Sequence, residues 1–255
     1  MKTTDTDKKR SPLKEKPLRL PGQSDSDKIR YIEFKMVGYI AFGVIVGLFA
    51  FNEWFAWFMH SPRQPVVWTC LAFISIVFCA YKCRQLLSDK RKWELGRQGE
   101  IEVGHSLEEL RKNGYVIFHD ILAGGFNIDH VVIAPSGIFA IETKTWSRNS
   151  KDKIVFDGEH MTLNGQKLNP NPAEQARINA KWLNKELQKM TLKDYPVKPV
   201  VVFPGWWVTN TKENTDIWVL NPGQLDFRIG QEPTVLSQVD MQSVVYFLSR
   251  YIRNL

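Results

Sequence analysis

The chain has 255 residues, 44% of them hydrophobic, which is enough for one ordinary domain with appendages around a real core. Its formal charge of +7 is spread unevenly: residues 1–92 hold 16 Lys and Arg against 8 Asp and Glu, and residues 93–255 hold 18 against 19. The pI of 9.2 therefore reflects the first third and is no argument for nucleic-acid binding by the rest.

The first 35 residues, with SPLKEKPLRLPG and many Lys, Asp and Ser, are too poor in apolar side chains to fold alone and read as a disordered basic tail. Its cations could touch anionic headgroups. Two apolar runs follow, about 36–58 and 65–82, each near the ~20 residues that span a bilayer as helix. A buried core helix is the alternative, and it suits the second run better than the first. The basic flanks favour a transmembrane hairpin. Ten Lys and Arg precede the first run and Lys82, Arg84, Lys90, Arg91 and Lys92 follow the second, whereas the connecting HSPRQP has only Arg63. The positive-inside rule then puts both termini in the cytoplasm, as expected of a multi-pass protein of the plasma (inner) membrane with the lipid bilayer as a partner. Trp54, Trp57 and Trp68 cluster near the outer interface, and Glu53 at that level is a helix-end residue, not a proton relay. A cleaved signal peptide is not expected, because a long polar segment precedes the first run. Cys70, Cys79 and Cys83 imply neither a disulfide framework nor a thiolate zinc site; Cys79 and Cys83 could accept a lipid, but packing thiols are the expectation. The five histidines show no pair at metal-ligand spacing.

Residues 93–255 carry the pattern of a soluble domain. Trp93 to Asn113 is helical, with Glu100, Val103, Leu107 and Leu110 on one face and Gly114 as C-cap. A carboxylate in such a stripe wants a partner. Strands are expected at Tyr115–Ile121, Ile128–Pro135 and Gly137–Trp146, the last two joined by a tight turn at Pro135, Ser136 and Gly137. Lys153 to Leu168, with Asp-Gly and Asn-Gly turns, reads as a small β insertion. A helix from about Asn171 to Met190, opened by Pro172, buries Ala176, Ala180, Leu183, Leu187 and Met190 and shows a basic row of Arg177, Lys181 and Lys185 on the other side. That row could track a phosphate backbone, although a solvated face is the commoner meaning. Val197 to Gly205 resembles a strand buried on both faces, Ile217 to Leu220 another strand, and Val239 to Ile252 a closing helix. Trp206 and Trp207 are expected to pack instead of stacking on bases. The order is that of an α/β sandwich on a central sheet, with neither an internal repeat nor a Gly-rich phosphate loop.

The hairpin NIDHVVIAPSGIFAIETKTW poses the chemical question, because Asp129, Glu142 and Lys144 sit in strands whose two faces are otherwise apolar. With the turn at 135–137, Asp129 falls opposite a residue near 141–143, and two carboxylates that close repel unless a cation sits between them. Magnesium suits such a pair, since it takes oxygen ligands and needs only one or two carboxylates. A lysine beside it can serve the attacking water or the charge of a phosphodiester transition state. The alternative, a Glu142–Lys144 ion pair with Asp129 capping a turn, is equally open on residue types alone. His130 points to the other face and reads as structural.

GRQGE at 96–100, NIDHVVIAPSGIFAIETK at 127–144 and NPAEQA at 171–176 together resemble the nuclease-related domain, NERD, a branch of the PD-(D/E)xK restriction-endonuclease-like superfamily. The resemblance covers about 95–187. It implies a restriction-endonuclease-like central mixed β-sheet flanked by helices, here preceded by the transmembrane helical hairpin. It also implies that Asp129, Glu142 and the backbone carbonyl of Thr143 hold the metal, Lys144 is the catalytic lysine, and Glu100 and Gln175 complete the set.

The expected organisation is thus a basic tail over 1–35, a membrane hairpin over 36–82 and a cytosolic NERD-like nuclease domain over 93–255. The expected activity is that of a membrane-anchored phosphodiesterase, an endonuclease-like hydrolase of DNA and less favourably RNA, with Mg2+ as cofactor and Mn2+ as a substitute. The rival is a non-catalytic module that binds nucleic acid or a protein at the membrane. The near-neutral charge of the soluble part keeps that rival open.

Overall fold

The computed structural model describes residues 18–60, 64–147, 152–212 and 215–254; most of the tail and Arg63 lie outside the described residues. The chain is mixed α/β and divides into two compact units, one of Gly22–Glu102 with Lys144–Arg148, the other of the remaining segments.

The first unit is built from helix α1 (Gln23–Phe58) and helix α2 (Pro65–Leu110), of which it holds the part up to Glu102. Both helices are longer than the apolar runs. Helix α1 starts at Gln23, so residues 23–35, expected to lack structure, are helical. Helix α2 continues through 83–92 into the helix expected from Trp93, because that stretch has no Pro or Gly and is rich in Leu, Gln, Lys and Arg. The two helices run side by side in opposite directions. Lys90 meets Glu33 at 2.7 Å, Tyr39 lies edge-on to Phe78, Phe49 stacks on Trp68, and Trp54 Nε1 donates to Thr69 Oγ1 at 2.8 Å. Both are long and apolar enough to cross a membrane, and of their most apolar 18-residue windows only 6% and 17% is buried. Cys70, Cys79 and Cys83 are free thiols.

The second unit is organised on a five-stranded sheet. Its strands are β1 (Val116–Leu122), β2 (Asn127–Ala134) and β3 (Gly137–Thr143), then β7 (Val197–Val202) and β9 (Trp218–Leu220), in the order β1-β2-β3-β7-β9. Strands β1, β2 and β3 form an antiparallel meander, and β3, β7 and β9 run parallel. A second sheet joins β4 (Ile154–Phe156), β5 (Met161–Leu163) and β6 (Gln166–Lys167) to β8 (Val208–Asn210), so the insertion is completed by a strand from much later in the chain. Helices α3 (Pro172–Thr191), α4 (Leu225–Gln231) and α5 (Gln238–Asn254) complete the unit.

Each face of the main sheet has its own core. On one side Val131, Ile133, Ile138 and Ala140 pack with Leu183 and Leu187 of α3 and with Leu248 of α5. On the other, Val132, Phe139 and Ile141 pack with Val103 and Leu107 of α2 and with Ile229 of α4. Strand β3 is buried at all seven positions, as its apolar residues on both faces require. Gly114, at φ 82°, closes the three-residue 3-10 turn that ends the helix before β1. The expected β3 is longer than the observed one: it ends at Thr143, not at Trp146.

Strand β1 departs from alternation at one residue. Asp120 has φ 50°, and Phe118 and Ile121 consequently enter the same core. Asp120 is fully buried; its carboxylate accepts from Arg19 Nε at 2.7 Å and from Asn127 Nδ2 at 3.0 Å, which ties Leu18–Leu20 to the strand. Opposite Asp120's neighbour, the register sets His119 against His130. Their Nδ1 atoms are 2.8 Å apart, and His119 Nε2 lies 2.9 Å from Glu108 Oε1. A carboxylate only accepts, so His119 carries its proton on Nε2 and His130 donates through Nδ1. Spacing along the chain could not show this pair; only the strand register brings the two rings together. Burial holds His119 below its usual range against the pull of Glu108, and burial together with the charge of His119 holds His130 well below.

Both histidines are depressed in the folded chain, so the unfolded chain takes up protons first, near pH 6.5, and stability falls as pH drops below that value. The urea midpoint of the full chain in detergent, followed by tryptophan fluorescence, is expected to fall between pH 7 and 5. The unfolding free energy behind that shift should change by up to about 1.4 kcal/mol per pH unit for each histidine. A flat midpoint over that window contradicts the assignment.

Candidate metal centre on the central sheet

Strands β2 and β3 meet with His130 opposite Ile141, which puts Asp129 and Glu142 at facing positions one residue further along. Both carboxylates are buried, Asp129 at 6% exposure and Glu142 at 2%. The hairpin turn at 135–136 produces that register. A shift of one residue would turn Glu142 to the opposite core. Thr143 N–H donates to Asp129 Oδ2 at 2.7 Å, so the main chain next to one acid orients the other. Glu142 and Thr143 lie at the carboxyl end of β3, beside Val201 and Val202 of the parallel strand β7. Open α/β sheets place their binding crevices at such strand ends.

Helix α3 supplies a third group. Asn179 is 2% exposed, and its Nδ2 donates to Glu142 Oε2 at 2.8 Å. No motif in the sequence marks it. Its position between Ala176 and Leu183 on the buried stripe was the available signal, because a buried amide needs a partner. The start of α3 is set by Asn171, whose side chain accepts from Ala173 N–H, and by Pro172 in the first turn. Of the expected stripe Ala176, Ala180, Leu183 and Leu187 are buried, while Met190, at the end of the helix, is only partly buried against the same core. Gln175 is half-buried, one turn before Asn179. Of the basic row, Arg177 is engaged by Asp216 through two hydrogen bonds of 2.7 and 2.8 Å, while Lys181 and Lys185 are exposed. Trp206 is buried, as expected, but Trp207 is 80% exposed.

The expected site residues divide between the units. Asp129, Glu142, Thr143 and Gln175 belong to the sheet unit, whereas Glu100 and Lys144 belong to the helical one. Glu100 is 7% exposed on α2, and Lys144 follows β3 directly. Within that unit the glycines of GRQGE have a steric meaning. A Cβ on Gly99 would lie 1.6 Å from Thr145 Oγ1, and one on Gly96 would lie 3.1 Å from Asp25 Oδ2. Gly99 therefore lets the helix backbone touch the segment that carries Lys144.

Among the described residues no cluster of three or more His, Cys, Asp or Glu side chains is placed to hold a metal ion. The sheet offers two facing carboxylates, both of them oxygen donors. That all-oxygen set fits a Mg2+-type ion, which keeps several waters and needs few protein ligands, and does not fit a zinc or calcium cage.

Residues 95–204 match the family model of NERD, the nuclease-related domain, so the chain carries a domain of that family. The match opens in α2 and closes beyond β7, further than the 187 expected, and takes in Asp129, Glu142, Asn179 and the glycines of GRQGE. Searches of curated proteins and of solved structures found no match to the chain.

The Gly99→Ala variant is expected to lose about 1–3 kcal/mol through overpacking against Thr145. Thermal unfolding of the full chain measures the loss, and faster tryptic cleavage after Lys144 should accompany it. Wild-type behaviour in both assays would deny the contact a role.

Proposed function

We propose that the chain is a membrane-anchored, metal-dependent nuclease that hydrolyses phosphodiester bonds of DNA, and less favourably of RNA, with a restriction-endonuclease-like sheet as its scaffold. The observation that carries this reading is the burial of two facing carboxylates, Asp129 and Glu142, within a nuclease-related domain. Buried like charges are costly, and a cation between them offsets the repulsion. Asp129, Glu142 and the Thr143 carbonyl would hold Mg2+, with Mn2+ as its substitute. When bound, the ion supplies positive charge that polarises the phosphate and lowers the pKa of water. Lys144, two residues after Glu142, would stabilise the negative charge gathered on the phosphate oxygens. The ExK spacing supports this role, as the GRQGE and NPAEQA motifs support assisting roles for Glu100 and Gln175.

Two apolar helices that are barely buried support the anchor, since a core helix would be covered and large exposed apolar surfaces rarely stay in water. The basic flanks favour the inner membrane with both ends cytoplasmic. A non-catalytic module binding nucleic acid or protein is the second reading, favoured by the balanced charge of residues 93–255.

The full chain in nanodiscs is expected to cleave DNA with Mg2+ or Mn2+ and to stop with EDTA. Glu142→Ala or Asp129→Ala should lower the rate by at least about a hundredfold. Retained cleavage in Glu142→Ala would falsify the site, and binding without cleavage, indifferent to EDTA, would establish the second reading. Alkaline carbonate washing should leave the chain in the membrane pellet; release into the supernatant removes the anchor.

A further inference from the structure

On α3 the residues facing the sheet are Ala176, Ala180, Leu183 and Leu187, all buried, and Asn179 interrupts them between Ala176 and Leu183. Packing alone would be served by leucine, which has nearly the same shape and no polar group to satisfy. A buried amide without a partner costs about 1–3 kcal/mol, so its presence there needs a reason. The partner is Glu142, at 2.8 Å from Nδ2 and equally buried.

We propose that Asn179 is the positioning residue of the acidic pair: its amide holds the Glu142 carboxylate in one orientation, ready for a divalent cation, without cancelling its charge. This inference rests on the metal reading given above and adds to it the group that sets the ligand's geometry. The choice of side chain matters chemically. Lysine or arginine at position 179 would also bind the carboxylate, but would compete with the cation by charge. An amide donates one hydrogen bond, fixes the plane of the carboxylate through Oε2 and thereby sets where Oε1 points. The amide of Thr143 treats Asp129 in the same way, through Oδ2 at 2.7 Å. Each acid is thus gripped at one oxygen by a neutral N–H donor, one from the main chain and one from a helix. Orienting partners of this kind govern affinity as well as geometry at metal sites.

The test uses Mn2+ as the probe, with its binding to the full chain in nanodiscs read by the electron paramagnetic resonance signal of free Mn2+. Asn179→Leu, which keeps the volume and removes the donor, is expected to bind Mn2+ about 10- to 100-fold more weakly than wild type. Asn179→Ser, which keeps a donor at shorter reach, should fall between the two. Circular dichroism of the metal-free chain checks that each variant is folded, and Asn179→Ala takes the place of Asn179→Leu if that variant does not fold. Equal Mn2+ affinity for wild type and the Leu (or Ala) and Ser variants overturns the inference and leaves the metal reading standing. A wild-type chain that binds no Mn2+ overturns the metal reading itself, and this inference with it.

Discussion

Two carboxylates buried on adjacent strands are the constraint around which the sheet unit is arranged. Placing Asp129 and Glu142 at 6% and 2% exposure is costly unless hydrogen bonds replace the lost water, and the fold supplies them from two directions. The Thr143 amide reaches Asp129 across the hairpin, and the Asn179 amide reaches Glu142 from α3. Neither would arrive without the register of β2 on β3 and without α3 lying on that face of the sheet. Strand β3, buried throughout and flanked by an antiparallel and a parallel neighbour, is what allows both.

The unit solves a similar burial problem differently at Asp120. There a guanidinium from Arg19 meets the carboxylate, with Asn127 adding a neutral donor. Charge compensation of that kind is a structural solution, and it anchors the segment before α1. The His119–His130 pair is a third case, in which burial keeps both rings from gaining charge while Glu108 fixes one proton. Asp129 and Glu142 each accept from a neutral amide instead. That distinction separates the candidate metal centre from the rest of the buried polar groups.

The helical unit obeys another rule. Its long helices expose the apolar surface that the sheet unit buries; Phe42, Leu48, Phe73 and Ile74 all lie open by more than half. Glycines of the GRQGE motif matter there for shape, since Gly99 permits the contact with Thr145 and so governs the path of the chain just after β3.

Much of this was legible along the chain. The apolar runs, the alternation of β2 and β3, the turn between them and the capped start of α3 are local patterns, each read from residues within one or two turns of each other. The pairing of Asp129 with Glu142 was also within reach, because a two-residue turn leaves a hairpin only one register. What lay beyond it depends on residues distant in sequence. Asn179 meets Glu142 across 37 positions, Arg19 meets Asp120 across 101, and β8, which completes the sheet of the insertion, lies beyond both α3 and β7 in the chain. Likewise nothing local marked Asp120 as left-handed or showed that α2 would run unbroken from Pro65 to Leu110. Sequence by itself determined which charges had to be buried, since periodicity and the turn dictate which face each residue takes. Tertiary structure decided what would hold them, because a hydrogen bond between a helix and a strand exists only once packing has brought the two together.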